Sequence, residues 1–191
     1  MPKAETFDRI EVLNKVTDLF WNKGYSATSM QDIVDVSGLN RSSLYNSFGD
    51  KYQLFLAALK HYKGSQQKDY INCLLNNTPM QALRSFFTNT GNSIQNREDF
   101  KGCLFVNSTA ELANRDNKVS AFLQSNMEDM IQLFSDILQR GIEQGEFRED
   151  LDVHATAVYL FSSLQGIQLT GMLNQSRKQM DQLIERILSV L

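Results

Sequence analysis

Residues 24 to 55 read GYSATSMQDIVDVSGLNRSSLYNSFGDKYQLF. Two short helical patterns flank a tight turn here and a longer helix follows, which is how a chain builds a helix-turn-helix whose second helix fits the DNA major groove. Thr28 or Ser29 caps a first helix with Met30, Ile33 and Val34 inward, and Thr28 with Gln31 has capping-box spacing. Ser37, Gly38 and Leu39 end that helix, the glycine taking a positive-φ turn at no steric cost. Asn40 caps the second helix, in which Leu44 and Phe48 face inward and leave Arg41, Ser42, Ser43, Tyr45, Asn46 and Ser47 outward. That outer face suits phosphates and base edges. Gly49 closes the helix, and Asp50, with Gln53 at the box position, caps the next and brings Lys51 to its first turn.

Working outward, Ile10, Leu13, Val16, Leu19 and Phe20 give a helix over 6–23 that Gly24 stops, with Trp21 packing in the same unit. From Lys51 a helix runs toward Leu75 without linker composition, so it carries the headpiece rigidly on the rest of the chain. Pro79 begins another helix, with Thr78 as its cap, ending near Gln95. A segment from Cys103 to Leu112 precedes a charged turn at Asn114 to Asn117, then a long helix from Lys118 to Gln144 with Phe122, Leu123, Met127, Met130, Ile131, Phe134, Ile137 and Leu138 inward. Two more apolar helical stretches follow, Val153 to Leu173 and Met180 to Leu191. With 191 residues, 42% of them hydrophobic, and Pro2 and Pro79 as the only prolines, the chain is expected to be all-α with about nine helices. The expected division is a DNA-binding domain over 1–50 and a helical effector-binding and dimerisation domain over 51–191.

An enzyme fails on inventory. His61 and His154 lie far apart, no glycine loop cradles phosphate, and Cys73 and Cys103 form neither a disulfide framework nor a metal spacing. No cofactor or metal is implied. Glu111 and Glu143 read as surface charge. The absence of a leader-like or membrane-length apolar run points to a cytoplasmic protein with no membrane partner. Charge is the one unusual feature: Lys3, Arg9, Lys15, Lys23, Arg41, Lys51 and Lys60 are matched by Glu5, Asp8, Glu11, Asp18, Asp32, Asp35 and Asp50, so the headpiece is formally neutral. Weak non-specific DNA affinity with steep salt sensitivity is expected, with specificity supplied by direct contacts and dimer geometry.

The order and spacing of Gly24-Tyr25, Thr28-Ser29-Met30, Ile33-Val34, Ser37-Gly38-Leu39, Ser43-Leu44-Tyr45, Phe48, Lys51 and Leu54-Phe55 resemble the headpiece of the TetR/AcrR family of bacterial repressors. The resemblance implies a phosphate contact at Thr28, a recognition helix over Arg41 to Ser47, and backbone clamps at Tyr45 and Lys51. Arg41, Ser43 and Asn46 are then the base-reading candidates, since arginine pairs geometrically with guanine and asparagine with adenine. Ser29, Asn40 and Ser42 complete the DNA-binding set. The expected partner is a double-stranded, palindromic operator.

The last two helices bear on assembly. Val153 to Leu173 is apolar on nearly all sides, and Met180, Leu183, Ile184, Ile187, Leu188 and Leu191 make a terminal stripe, so a homodimer through these helices is expected. The family resemblance further implies an unknown small-molecule effector in the larger domain. Phe86, Thr90, Phe105, Ser108, Met127, Met130, Phe134, Tyr159, Ser162 and Gln165 are the candidate lining, together with Phe87 and Glu111. Each of these also reads as ordinary core. Cys103, after Gly102 at a helix amino terminus and near Lys101, is a candidate thiol sensor if the dipole lowers its pKa, Cys73 being a resolving thiol only if the fold brings it close; as a buried small hydrophobe it is inert. Repression by the ligand-gated dimer is the expected function, with thiol sensing at Cys103 or an architectural DNA-binding role as alternatives.

Overall fold

Asp8 opens the first helix by accepting hydrogen bonds from the Ile10 and Glu11 amides, and Gly24, at φ +77°, ends it. The computed structural model describes residues 7–95, 101–173 and 176–191. Among these residues the chain is all-helical: α1 (Arg9–Lys23), α2 (Met30–Ser37), α3 (Arg41–Phe48), α4 (Lys51–Leu75), α5 (Pro79–Gln95), α6 (Leu104–Leu112), α7 (Asn117–Glu143), α8 (Val153–Thr170) and α9 (Arg177–Leu188), with a 3-10 turn at Gly171–Leu173. The expected all-α architecture of about nine helices is what the described residues adopt. Helix starts follow side-chain caps: Asn40, Asp50, Asp116, Asp152 and Ser176 each accept from a backbone amide of the turn they precede.

Two apolar cores organise the bundle. One gathers Val12, Val16 and Phe20 of α1, Ile33 of α2, Leu44 and Phe48 of α3, and Leu54, Phe55, Ala58, Leu59 and Tyr62 of α4, and continues into Leu104 and Phe105 of α6 and Val119 and Leu123 of α7. The other holds Leu83, Phe86 and Phe87 of α5, Phe134, Ile137 and Leu138 of α7, Leu160 and Leu164 of α8, and Met180 and Ile184 of α9. Residue 50 does mark the start of α4, but the core does not divide there. The first three turns or so of α4, through Tyr62, are headpiece interior, and α6 packs on the same interior. Burial of this continuous apolar surface packs the headpiece and α6 around one core.

Candidate nucleic-acid interface

The helix-turn-helix is held by caps at each end of the turn. Ser29, not Thr28, caps α2, and its box partner is Asp32 rather than Gln31: the Ser29 hydroxyl accepts from the Asp32 amide at 3.1 Å, while the Ser29 amide donates to Asp32 Oδ2 at 2.7 Å. Lys23 also reaches Asp32 Oδ2 at 2.7 Å, and this bond together with those from Ser29 holds the Asp32 carboxyl well below the usual carboxylate range. Gly38 turns the chain at φ +72°, ψ +6°, a left-handed conformation that costs other residues about 1–2 kcal/mol. Asn40 Oδ1 then accepts from the Ser43 amide at 2.8 Å and starts α3.

On α3, Leu44 and Phe48 point into the core, and Arg41, Ser42, Tyr45 and Asn46 are exposed, with Tyr45 at 45%. Ser43 is half-buried. Arg9 ties the far end of α3 down, donating to the Ser47 carbonyl at 2.9 Å and lying 4.2 Å over the Phe48 ring. The result is a short polar rod whose outward side chains have the donors and acceptors that base edges and phosphates require.

Two residues expected at the DNA backbone are engaged within the headpiece. Thr28 is 1% exposed and its hydroxyl donates to the Gly24 carbonyl at 2.6 Å, so it stabilises the α1–α2 corner and does not present that hydroxyl to a phosphate. Lys51 is likewise turned inward. Its ammonium donates to the carbonyls of Tyr25 (2.9 Å) and Thr28 (2.8 Å) and sits 4.3 Å above the Tyr25 ring. A cation so engaged ties α4 to the corner before α2 and is not a free backbone clamp. Ser29 and Asn40 remain exposed but spend a side-chain oxygen on capping.

Sequence reasoning missed the joint between headpiece and body. Glu111, read there as surface charge and as possible pocket lining, extends from α6 to the α1–α2 corner, where Oε2 accepts from the Tyr25 amide at 3.0 Å and Oε1 from the Ser26 amide at 2.7 Å. Burial pushes its pKa up, but the hydrogen bonds from Ser26 and Tyr25 and the charge of Lys51 outweigh that and leave it below the ordinary glutamate value. Gly24 leaves room for this contact: a Cβ there would lie 2.9 Å from Glu111 Oε2. Beside it, the Tyr52 hydroxyl of α4 donates to Asp116 at 2.8 Å; burial and this carboxylate push the phenol up to about 12. An acidic residue 86 positions from the corner it holds leaves no local signal in the sequence.

Among the described residues, three cavities lie in or border the larger domain. Phe86 and Thr90 line one of about 600 Å³ together with Trp21 and Tyr70. Phe105, Met130 and Gln165 line a second of about 310 Å³, and Phe105, Met127 and Gln165 a third of about 460 Å³. Met127 reaches its cavity from a partly exposed position, 39% accessible, and not from the core side of α7. Four expected lining residues lie elsewhere. Phe134 is fully buried core, and Ser108 is buried without facing any of the three cavities, while Tyr159 and Ser162 are exposed on the outer face of α8. Phe87, too, is core.

Cys103 caps α6 and lines the second cavity, but the expected lowering of its pKa is overturned. Burial raises the thiol, and this outweighs the opposing hydrogen bonds from the Val106 and Phe105 amides and from Tyr62, whose hydroxyl lies 3.8 Å away. Desolvating a thiolate costs more than one helix terminus returns.

A helix-turn-helix with an exposed polar second helix, joined through α4 and α6 to a helical domain with internal cavities, defines a DNA-binding transcriptional regulator. The chain belongs to the TetR family: residues 13–58 match the model described as bacterial regulatory proteins, tetR family, and residues 79–187 match the tetracyclin repressor-like C-terminal domain. It is similar to the HTH-type transcriptional regulator YezE of Bacillus subtilis, 28% identical with all of both chains covered. It is also similar to the HTH-type transcriptional repressor ComR of Escherichia coli, 26% identical over 95% of this chain and 87% of that one. Among solved structures, a cysteine mutant of the TetR family regulator CifR, complexed with 26-bp double-strand operator DNA, matches with a TM-score of 0.84 at 26% identity, covering 98% of each chain.

Proposed function

We propose that the chain is a homodimeric, cytoplasmic, non-enzymatic repressor that leaves a palindromic operator when a small molecule enters the larger domain. Residues 1–50 act as the DNA-binding unit and 51–191 as the effector-binding and dimerisation unit. The observation that carries this reading is the exposed face of α3, on which Arg41, Ser42, Tyr45 and Asn46 stand free of the core while Asn40 caps α3 and Ser29 caps the preceding α2. Arg41 and Asn46, with Ser43 at the margin, read bases, and Tyr45 and Ser42 contact the backbone. No helix of the described residues is long and apolar enough to cross a membrane.

Dimerisation supports the same reading. The outer face of α8 exposes Val158 (38%), Tyr159 (39%) and Leu169 (54%), and α9 adds Leu183 (36%). A second copy covers this face about a two-fold axis, placing two α3 helices in successive major grooves. Release follows from α6. Phe105 near its start borders two cavities and Glu111 near its end holds the α1–α2 corner, about 9 Å apart along one rigid helix. A molecule that displaces Phe105 tilts Glu111, and the spacing of the two α3 helices changes. Selecting duplexes from a randomised pool with the purified chain tests the reading. A two-fold symmetric consensus is expected; absence of any enriched duplex overturns it.

A further inference from the structure

The second and third cavities share four lining residues, Phe105, Asn126, Phe161 and Gln165, which therefore form the partition between them. Gln165 Oε1 is buried there with no hydrogen-bond partner. Asn126, 8% exposed, lies in the same partition. A buried carboxamide oxygen without a donor is a standing cost, removed when a donor arrives. The walls on either side are largely apolar: Leu74, Met130 and Leu133 in one lobe, Val106, Leu123 and Met127 in the other. Charge is confined to Lys63 and Asp129 among the described lining residues, and these two pair with each other at 2.5 Å on the first lobe. A buried ligand charge finds no free counter-ion here and is excluded by its desolvation cost.

We infer that the two cavities are lobes of one effector site, and that its ligand class is an uncharged, two-ended apolar molecule carrying a hydroxyl or amide N–H donor at its middle, received by Gln165. This rests on the effector-release reading above and specifies its ligand. The lobes offer roughly 310 and 460 Å³ of lined space, enough to admit an apolar group on each side while the donor sits at the partition. A molecule of this shape also separates Phe105 on α6 from Phe161 on α8, the displacement that release requires.

Diphenylmethanol reproduces the pattern, with two rings and a central hydroxyl. Titration calorimetry on the intact protein without DNA is expected to show diphenylmethanol binding, its methyl ether binding about fivefold more weakly for loss of one donor, and diphenylacetate not binding. In Gln165→Leu the alcohol-to-ether ratio is expected to fall to about one, the cycle isolating the single contact. Equal affinity of alcohol and ether in the native protein, binding of the carboxylate, a ratio preserved in Gln165→Leu, or no binding of any probe overturns the inference. The native alcohol-ether comparison stands by itself if the variant does not fold. Because no duplex is present, failed probe binding beside successful operator selection sinks the ligand class alone, and the reverse sinks the regulator reading.

Discussion

Replacing Glu111 by Gln tests whether α6 holds the headpiece. The carboxylate accepts one amide on each oxygen, from Tyr25 at 3.0 Å and Ser26 at 2.7 Å. A carboxamide keeps one acceptor and turns an NH2 toward the other amide, so one charge-assisted bond is lost and one donor is left facing a donor. Hydrogen bonds to charged groups contribute about 1.5–3 kcal/mol, and the exposure of Ser26 reduces this, giving about 1–2 kcal/mol for Glu111→Gln. Hydrogen exchange reads it locally: the Tyr25 and Ser26 amides should exchange about 5- to 30-fold faster in the variant, with α9 unchanged. The pH dependence carries a definite sign. Because the folded pKa lies below the ordinary value, the contribution is fully present above about pH 4.3 and is lost as the pH falls through the folded pKa; Glu111→Gln removes that limb of the stability profile. Unchanged protection of both amides in Glu111→Gln, or an acid limb identical to the native protein's, refutes the coupling role.

Lys51→Met should lower stability by about 1–3 kcal/mol, through the charge-assisted bonds lost at the Tyr25 and Thr28 carbonyls, while the dependence of DNA affinity on salt changes by less than about one phosphate contact; denaturant melts and filter binding at several salt concentrations separate the two. With Lys51 held by two backbone carbonyls and Lys23 paired with Asp32 at the surface, the salt dependence of the native protein should be shallow instead of steep, and a steep slope would return Lys51 to the phosphates. Leu169→Arg, on the 54% exposed crest of α8, should give a monomer by light scattering and weaken operator binding by more than tenfold; a dimer that persists with native affinity moves the interface elsewhere. Cys103→Ser should leave the response to an added electrophile unchanged, since burial keeps the thiol protonated at neutral pH; loss of electrophile-driven release in this variant would establish a thiol sensor instead.

Most of the fold was legible because its signals are local. The apolar spacing of Leu44 and Phe48, Gly38 after Ser37, and the near absence of proline placed the helices to within a few residues, and Asn40 and Asp50 cap the helices expected of them. The cap of α2 was narrowed to Thr28 or Ser29 and proves to be Ser29, while the capping-box pair expected at Thr28 and Gln31 lies one position on, at Ser29 and Asp32. Thr28 and Ser29 offer the same hydroxyl chemistry, and which one turns outward depends on the Gly24 carbonyl that Thr28 meets in the folded corner. Lys51 illustrates the same limit: its place in the first turn of α4 was readable, the two carbonyls that capture it were not. Of the residues named as candidate lining, Phe86, Thr90, Phe105, Met127, Met130 and Gln165 border a cavity and the others do not, because helical periodicity gives the face of a residue but not whether that face meets a neighbour, a void or the outside.

The amino-acid order alone determined about nine helices, a helix-turn-helix near the start and the polar face of α3, since capping, turn chemistry and periodicity act over a handful of residues. Tertiary structure decided that Glu111 grips the α1–α2 corner, that Lys51 is sequestered, that Cys103 is too deeply desolvated to ionise readily, and that Gln165 stands unpaired between two voids. Each of those outcomes depends on groups far apart in the chain competing for one another's hydrogen bonds in a shared low-dielectric interior, where partner and solvent access exist only after the helices have packed.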